Sequence, residues 1–201
     1  PMIKIKNKPI LEHIILKLKS QGFKNIYISV RYLANVIKKF FKNGEKFGVN
    51  IEYINEKKAL GTAGSLSLIN HKKNETDYII LNADTIFNLN INDLLNFHKK
   101  KNSLLTMAIR QEFLKSDYGV IKSKGYKFDQ IDEKPIITTY VNAGIYIINK
   151  KIFKNIKKNK YLDMPNLFNK LRERKNKKIY LFPIYEKYDE VGTLKDLKRF
   201  I

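Results

Sequence analysis

The feature that most constrains this chain is the regular alternation of short apolar segments with helical segments along its first half. Runs rich in Ile, Val, Leu and Tyr predict strands at 25–30, 50–54, 78–81 and 104–109. Apolar residues at helical spacing predict helices at 9–20, 33–41, 61–69 and 92–101. Strands that alternate with such helices build βαβ units. We therefore expect an α/β protein of Rossmann-like type, with a mixed, mostly parallel sheet flanked by helices.

The second half departs from this alternation and adds strands beside the first sheet. Its segments predict strands at 118–121, 126–131, 141–148 and 179–183, and helices at 150–156, 165–174 and 193–200. Thr193 is the expected N-cap of the last helix. Because the chain shows no repeat, linker or low-complexity stretch, we expect residues 1–201 to form one domain.

The start of the chain is unusual for this class of fold. It begins with Pro1 and Met2 and leads into a helix without an opening strand. A doubly wound sheet normally opens on a central strand whose following loop binds phosphate. Either this fold has no such strand or the chain is a fragment, and we expect the first strand to be missing.

Composition excludes several classes of site. The chain has no cysteine and three scattered histidines, which excludes a disulfide framework, a thiolate zinc site and a cysteine nucleophile. The formal charge is +21, and basic chains can bind nucleic acid. Because the excess comes from Lys spread along a chain rich in Ile and Asn, we favour a low-G+C composition as its cause. No membrane-length apolar run or signal peptide is visible, so we expect a cytoplasmic protein without a membrane partner.

Several groups of polar or small residues fall where ligands bind in such sheets, at the carboxyl ends of strands. They are the Gly-Thr-Ala-Gly of 61–64, the strand-end Asp84, the Glu-Lys-Pro of 133–135, the Asn-Ala-Gly of 142–144 and the Asp-Glu-Val-Gly of 189–192. Carboxylates suit Mg²⁺, small residues let backbone approach a flat ligand, and a lysine neutralises phosphate. Taken singly, each group is better explained as a turn, a helix start or a cap. Their order along the chain carries the signal.

In that order, with a Tyr-Gly-Val at 118–120, these motifs resemble the sugar-phosphate nucleotidylyltransferase family over essentially the whole chain. The resemblance is greatest to its sugar-1-phosphate guanylyltransferase-like members, and it implies the nucleotide-diphospho-sugar transferase fold. Pro1 and Met2, followed by Asn-Lys-Pro at 7–9, look like the tail of the family's amino-terminal glycine-rich signature. The resemblance thus implies a truncated domain without the first strand, that loop and its cationic residues.

The resemblance also implies a role for each motif. In the family, a sugar-phosphate oxygen attacks the α-phosphorus of a nucleoside triphosphate, and pyrophosphate leaves. The implied nucleotide-binding residues are Gly61, Thr62 and Asp84, the sugar-phosphate-binding residues are Gly119, Glu133, Lys134 and Asn142, the Mg²⁺ ligands are Asp84 and Glu190, and the catalytic residues are Asp84, Lys134 and Glu190. Asn82 would support the strand end instead of touching ligand.

Two positions depart from the family pattern. Ala83 stands where the family usually has glycine, and Glu190 stands where it usually has aspartate. The longer Glu190 side chain matters because Mg²⁺ demands near-octahedral geometry. Together with the missing loop, these departures predict little or no activity for the 201 residues alone.

The resemblance implies a bacterial enzyme that converts a nucleoside triphosphate and a sugar 1-phosphate into a nucleotide sugar and pyrophosphate, for cell-surface glycan or glycoconjugate synthesis. GTP is favoured, and uracil, thymine and cytosine nucleotides are left open. One alternative is a catalytically weak or inactive paralogue that binds a sugar nucleotide and regulates another process. A basic nucleic-acid-binding module ranks last, because the sequence lacks a recognition helix with clustered Arg. Formation of a homo-oligomer is left open.

Overall fold

The computed structural model describes residues 1–70, 75–173 and 178–186, together with the backbone of 188–190. Within them the helices are α1 (Ile10–Ser20), α2 (Ala34–Phe41), α3 (Gly61–Gly64), α4 (Ile91–Lys100) and α5 (Met164–Arg172), with 3₁₀ turns at Glu45–Phe47, Ser65–Leu68 and Lys150–Asn155. The strands are β1 (Lys4–Ile5), β2 (Lys8–Pro9), β3 (Asn25–Val30), β4 (Asn50–Asn55), β5 (Asp77–Leu81), β6 (Thr85–Phe87), β7 (Leu105–Lys115), β8 (Val120–Lys124), β9 (Lys127–Asp132), β10 (Ile136–Asn149), β11 (Ile179–Ile184) and β12 (Tyr188–Glu190).

The main sheet has the strand order β11–β7–β10–β5. Strand β10 runs antiparallel to both of its neighbours, whereas β11 runs parallel to β7. A separate parallel pair is formed by β3 and β4, and β8 and β9 form an antiparallel hairpin. The predicted α/β class with a mixed sheet and flanking helices is confirmed, with β10 as its antiparallel member.

Several element bounds differ from the sequence-based expectation. Strands β7 and β10 extend well beyond the predicted 104–109 and 141–148, because their exposed halves pair with each other from Arg110↔Val141 to Lys115↔Ile136. These exposed halves carry no continuous apolar signal. The predicted helix at 150–156 is wrong in type, since it is a 3₁₀ turn. The predicted helix at 193–200 and its cap Thr193 lie outside the described residues.

The predicted helix at 61–69 is divided into α3 and a 3₁₀ turn. The beginning of the chain also differs from the expectation, because the two-residue strands β1 and β2 pair with each other before α1 begins. Strands this short leave too little sequence pattern for a prediction.

The core lies on both faces of the main sheet, as β10 shows most directly. Its Ile145 and Ile147 pack on the side of α1 and α4, and its Tyr146 and Ile148 pack on the side of α5. All four side chains are buried. Successive side chains of a strand point to opposite faces, so an uninterrupted apolar run is what a strand covered on both sides requires.

A buried polar cluster joins α4 to three strands. His98 is 1% exposed, and its Nδ1 lies 2.7 Å from Thr106 Oγ1 while its Nε2 lies 3.4 Å from Asp77 Oδ1. Asn149 Nδ2 donates to the same Asp77 oxygen over 2.8 Å. Burial lowers the pKa of His98 and outweighs the raising effect of the Asp77 carboxylate.

The helices of the described residues are short. None of them is long and apolar enough to cross a membrane.

Candidate active site

Asp84 lies in the turn between β5 and β6, where the apolar strand ends. Its Oδ1 atom is buried and has no hydrogen-bond partner among the described residues. Leaving a buried acceptor unpaired costs about 1–3 kcal/mol, and more when it is charged. A ligand that bonds to this oxygen would offset that cost, so the oxygen marks a candidate binding point.

The backbone of Glu190 lies close to that point. Strand β12 pairs antiparallel with β6, and the register places Glu190 opposite Thr85, the residue that follows Asp84. The side chain of Glu190 lies outside the described residues. Strand pairing thus brings the backbones of two acidic residues from distant parts of the sequence to one place.

The loop at Gly61 and Thr62 is built against the segment that precedes α5. Gly61 has φ +75°, and a Cβ there would lie 2.6 Å from Asp163 Oδ1 and 2.7 Å from the Leu162 carbonyl oxygen. Both the backbone conformation and the space therefore require glycine.

Thr62 and Asp163 hold this loop in place through reciprocal hydrogen bonds. Thr62 Oγ1 accepts from the Met164 backbone N–H over 2.8 Å, and the Thr62 backbone N–H donates to Asp163 Oδ1 over 3.2 Å. The hydroxyl of Thr62 is thus already engaged with the first residue of α5. Asp163 is a residue that the sequence analysis missed, although an Asp directly before a Met-Pro helix start is a recognisable N-cap signal.

One cavity of about 850 Å³ brings the first group of expected site residues together. Gly61, Thr62 and Asp84 all line it, and so does Asp163. Tyr78 also lines it and donates to Glu75 Oε2 over 2.5 Å. Burial, followed by the bond to Glu75, raises the pKa of Tyr78 well above its ordinary value, so the phenol stays protonated.

The second group of expected residues lies outside the lining of that cavity. Gly119 and Glu133 are neighbours, since a Cβ on Gly119 would lie 2.9 Å from Glu133 Oε2. Glu133 and Lys134 are exposed in the turn between β9 and β10, and Lys134 has φ +45°. Both side chains are thus free to meet a ligand from solvent.

Asn142, the remaining expected sugar-phosphate-binding residue, lies near the end of β5 that precedes Asp84. It sits at a bulge of β10, where the pairing with β7 shifts between Asn142 and Tyr146. Its Oδ1 accepts from the Gly144 backbone N–H over 2.9 Å, and its Nδ2 donates to the Tyr146 hydroxyl over 2.6 Å. Bulges of this kind re-aim side chains beside functional sites.

Asn82 and Gly144 lie in direct contact. The Asn82 backbone N–H donates to the Gly144 carbonyl over 3.0 Å, and Gly144 has φ +65° with the Asn82 side chain where its own Cβ would be. The structure therefore places the bulge that carries Asn142 directly beside the turn that carries Asp84.

The donors present are compatible with a divalent cation. Among the described residues no group of three or more His, Cys, Asp or Glu side chains lies close enough to hold a metal. Mg²⁺ is usually held by one or two carboxylates together with substrate phosphates. The Asp84 Oδ1 atom, which no described residue hydrogen-bonds, fits that smaller ligand set together with the nearby Glu190.

Comparisons with known proteins bear on what this site does. A family model described as "Nucleotidyl transferase" matches residues 1–200. The chain is 34% identical over 203 residues to a mannose-1-phosphate guanyltransferase from Yarrowia lipolytica, covering 98% of this chain and 55% of that protein. It is 30% identical over 190 residues to a UTP–glucose-1-phosphate uridylyltransferase from Synechocystis, covering 85% of this chain and 49% of that protein. The chain spans about half the length of these curated relatives.

A solved structure shares the fold over the whole chain. The crystal structure of HddC from Yersinia pseudotuberculosis superposes with a TM-score of 0.77 at 22% identity, covering 100% of this chain and 87% of that one. One curated relative is fungal and the other cyanobacterial, so a bacterial source for this chain stays a prediction. The family match over nearly every residue, supported by a relative 34% identical, shows that the chain belongs to the nucleotidyl transferase family.

Proposed function

We propose that the protein to which this chain belongs transfers a nucleoside monophosphate from a nucleoside triphosphate to a sugar 1-phosphate. The observation that supports this most strongly is the buried Oδ1 of Asp84, which has no hydrogen-bond partner in the part of the chain that the structure describes and belongs to a residue that lines the same cavity as Gly61 and Thr62. A buried carboxylate oxygen that has no hydrogen-bond partner among the described residues suits a reaction in which charged phosphate groups must be held and neutralised.

Asp84 and Glu190 would hold Mg²⁺ in this proposal. Bound there with the triphosphate, the ion would neutralise phosphate charge and increase the electrophilic character of the α-phosphorus. The backbone register that sets Glu190 opposite Thr85 supports this pairing. Asp84 supplies a desolvated oxygen, whose interaction with a cation is stronger than in water.

The Gly61 loop would receive the base and ribose. Because Gly61 has no side chain, the loop packs directly against Asp163 and Leu162, and Gly61 and Thr62 line the cavity. The bonds of Thr62 to Met164 and Asp163 fix the loop before ligand arrives. A loop that is already ordered loses little entropy on binding, which favours productive orientation of the triphosphate.

The exposed turn between β9 and β10 would bind the second substrate. The Glu133 carboxylate accepts hydrogen bonds from sugar hydroxyls. The Gly119 backbone contacts the sugar, and Asn142 contacts the sugar ring. The Lys134 ammonium neutralises the sugar phosphate. In the transfer, an oxygen of that phosphate forms a bond to the α-phosphorus. The bond from the α-phosphorus to the bridging oxygen breaks, and pyrophosphate leaves with the electron pair.

A guanine nucleotide is the favoured substrate in this proposal, and the product would be a GDP-sugar that serves glycan or glycoconjugate synthesis. The similarity to a protein named mannose-1-phosphate guanyltransferase supports guanine. The similarity to a protein named UTP–glucose-1-phosphate uridylyltransferase supports a uracil nucleotide as the alternative substrate. The base and the sugar must therefore be identified by a substrate assay.

The test is pyrophosphate release by the protein at its full natural length, with Mg²⁺, each of the four common nucleoside triphosphates and a panel of hexose 1-phosphates. We expect one triphosphate to be turned over fastest. Asp84→Asn should reduce the rate by about 100-fold or more, a typical cost of losing a group that stabilises transition-state charge. The matched variant Asp93→Asn changes an exposed aspartate of α4 and should leave the rate unchanged. Equal loss in both variants, or no release with any triphosphate, contradicts the proposal.

A regulatory paralogue that binds a sugar nucleotide without turnover is the second candidate. Ala83 and Glu190, which depart from the family pattern, favour it. Titration calorimetry with GDP-sugars, run beside the pyrophosphate assay, separates the two functions. Binding without pyrophosphate release supports the regulatory function. The same pair of assays on the 201-residue chain tests the expectation that it is weakly active or inactive alone.

A further inference from the structure

The hairpin of β8 and β9 forms a sheet of its own. Its two strands pair with each other, and no other strand of the described residues pairs with either of them. At its base the Ser116 backbone N–H donates to the Pro135 carbonyl over 3.1 Å. The three hydrophobic core clusters of the described residues include no residue of this hairpin. Since a two-stranded hairpin is only marginally stable alone in water, its stability depends on what covers its apolar side chains.

One face of the hairpin is polar, and its charges are paired within the hairpin. Lys122 Nζ lies 2.8 Å from Asp132 Oδ2, and Lys124 Nζ lies 3.8 Å from Asp129 Oδ1. Ion pairs lose solvation when they are buried, and their mutual attraction offsets that loss only in excellent geometry. We therefore expect this polar face to stay in solvent.

The opposite face of the hairpin is apolar and exposed. The strand register sets Ile121 opposite Ile131, and beyond the bulge it sets Ser123 opposite Phe128. Ile121 and Phe128 are each 63% exposed, and Ile131 is 52% exposed. A contiguous apolar patch on a protein surface marks an interaction site. This apolar face, defined by Ile121, Phe128 and Ile131, is therefore a candidate docking surface.

The charge of the hairpin indicates which partner fits that face. Residues 118–134 contain four lysines and three acidic residues, so their formal charge is +1 and the remaining +20 of the chain's +21 lies elsewhere. A polyanion such as a nucleic acid is attracted to those other regions. Two copies of a +21 chain repel each other least where the local charge is close to zero. The apolar face thus fits a second copy of the chain better than a charged partner.

We propose that the apolar face of one hairpin packs against the same face of a second copy, in a two-fold symmetric dimer. In such an interface each copy contributes the same patch, so Ile121, Phe128 and Ile131 of the two copies cover one another. The two hairpins become the layers of a small sandwich, about 10 Å apart. The Lys–Asp pairs lie on its outer surfaces.

The size of the apolar face predicts a reversible dimer. A fully covered aromatic side chain buries about 150–250 Å², so three large apolar side chains that are half to two-thirds exposed supply on the order of 300 Å² per copy. A standard interface buries about 800 Å² per partner. The exposed Tyr118 and Tyr126 of the same hairpin add to the area at the rim. The interface is still at the small end, and we expect dissociation at micromolar concentrations.

The test is sedimentation velocity of the protein at its full natural length, over a series of concentrations without nucleotide or Mg²⁺. We expect reversible dimers. Phe128→Gln should weaken association by about tenfold or more, because it buries an amide in the apolar face. Lys122→Gln, on the polar face, and Tyr32→Gln, at an exposed aromatic outside the hairpin, should leave association unchanged. Added NaCl should strengthen association, because it screens the repulsion between two +21 chains.

Chemical cross-linking tests which face makes the contact. Residues 1–201 contain no cysteine, so Ser123→Cys adds a single thiol on the side of Phe128, once any cysteines elsewhere in the natural-length protein are replaced by serine. A bismaleimide that spans about 10 Å, the separation of two packed sheets, should join two copies through this thiol. Lys122→Cys, on the polar face of the same strand, should cross-link far more slowly.

Several outcomes would overturn the proposal. A monomer at every concentration would show that no second copy covers the face. Unchanged association in Phe128→Gln, or equal cross-linking through the two thiols, would assign any dimer to another surface. Association that weakens with salt would indicate contact through ion pairs instead of apolar side chains. None of these readouts uses pyrophosphate release, so failure of this proposal and failure of the proposed function are distinguishable.

Discussion

Replacing Gly144 by alanine is the perturbation whose cost the structure defines best. Gly144 has φ +65°, and an added Cβ would lie 2.5 Å from Asn82 Nδ2 and 2.9 Å from Asn82 Cγ. The left-handed conformation costs a non-glycine residue about 1–2 kcal/mol. Overpacking adds about 1–3 kcal/mol when neighbours must shift. Gly144→Ala should therefore lower the free energy of unfolding by about 2–5 kcal/mol.

Gly22→Ala provides the matched control. Gly22 has φ +93°, but no atom of the described residues lies within 4 Å of its added Cβ, so this variant carries only the conformational cost of about 1–2 kcal/mol. Urea unfolding followed by circular dichroism measures both variants under the same conditions. The double variant Asn82→Ala/Gly144→Ala should be about 1–2 kcal/mol more stable than the summed effects of the two single substitutions predict. The reason is that Asn82→Ala removes the side-chain amide that the new methyl group meets.

The reasoning is refuted if Gly144→Ala costs no more than Gly22→Ala. It is also refuted if Asn82→Ala gives no coupling with Gly144→Ala. Either result would mean that the β10 bulge does not pack against the turn that carries Asp84. The contact that places Asn142 beside Asp84 would then have no energetic support.

Three further predictions concern the core, the strand end and the loop. Because burial holds the pKa of His98 below its ordinary value of 6.5 in the folded protein, the unfolded chain binds more protons in acid. The free energy of unfolding should fall as the pH drops below about 6.5 and stay level above it, and urea titrations should show a weaker dependence in His98→Gln. Asp84→Ala should raise the free energy of unfolding by about 1 kcal/mol in Mg²⁺-free buffer, because it removes a buried oxygen that has no hydrogen-bond partner among the described residues, whereas Asp93→Ala should change it by less than about 0.5 kcal/mol in the same urea titrations. Thr62→Val should lower it by about 1 kcal/mol by removing the acceptor for the Met164 backbone N–H; an unchanged urea midpoint would contradict that role.

Much of the fold could be predicted because its signals are local. The strand at 25–30 was predicted with the bounds that β3 shows, and the helix at 9–20 begins one residue earlier than α1. Both elements carry an apolar pattern within one stretch of sequence. The family resemblance, which rested on ordered motifs, is confirmed by the match over residues 1–200.

Elements whose stability comes from distant partners were predicted less well. The outer halves of β7 and β10 are largely exposed and are defined by pairing with each other. The 3₁₀ turn at Lys150–Asn155 has helix-like spacing but follows a strand that continues to Asn149. In these cases tertiary contacts outweigh local preference.

The candidate site shows the same division. Asp84 was identified because a polar turn directly follows an apolar strand, and Gly61 because small residues precede an apolar segment. Asp163 was missed, since its bond to Thr62 crosses 101 positions of sequence. The roles given to the site residues, Mg²⁺ as cofactor, the base, the sugar and a cytoplasmic location stay predictions.

The sequence by itself determined the α/β class, the family and which residue types stand at strand ends, because periodicity and motif order are properties of neighbouring residues. The tertiary structure alone decided that the Gly61 loop rests on Asp163, that Gly144 presses on Asn82, and that β12 lays Glu190 opposite Thr85. It also decided that the edges of β3 and β5 border one cavity. The reason is physical: these contacts join residues far apart in the chain, and close packing of the core, which no local pattern encodes, sets their positions.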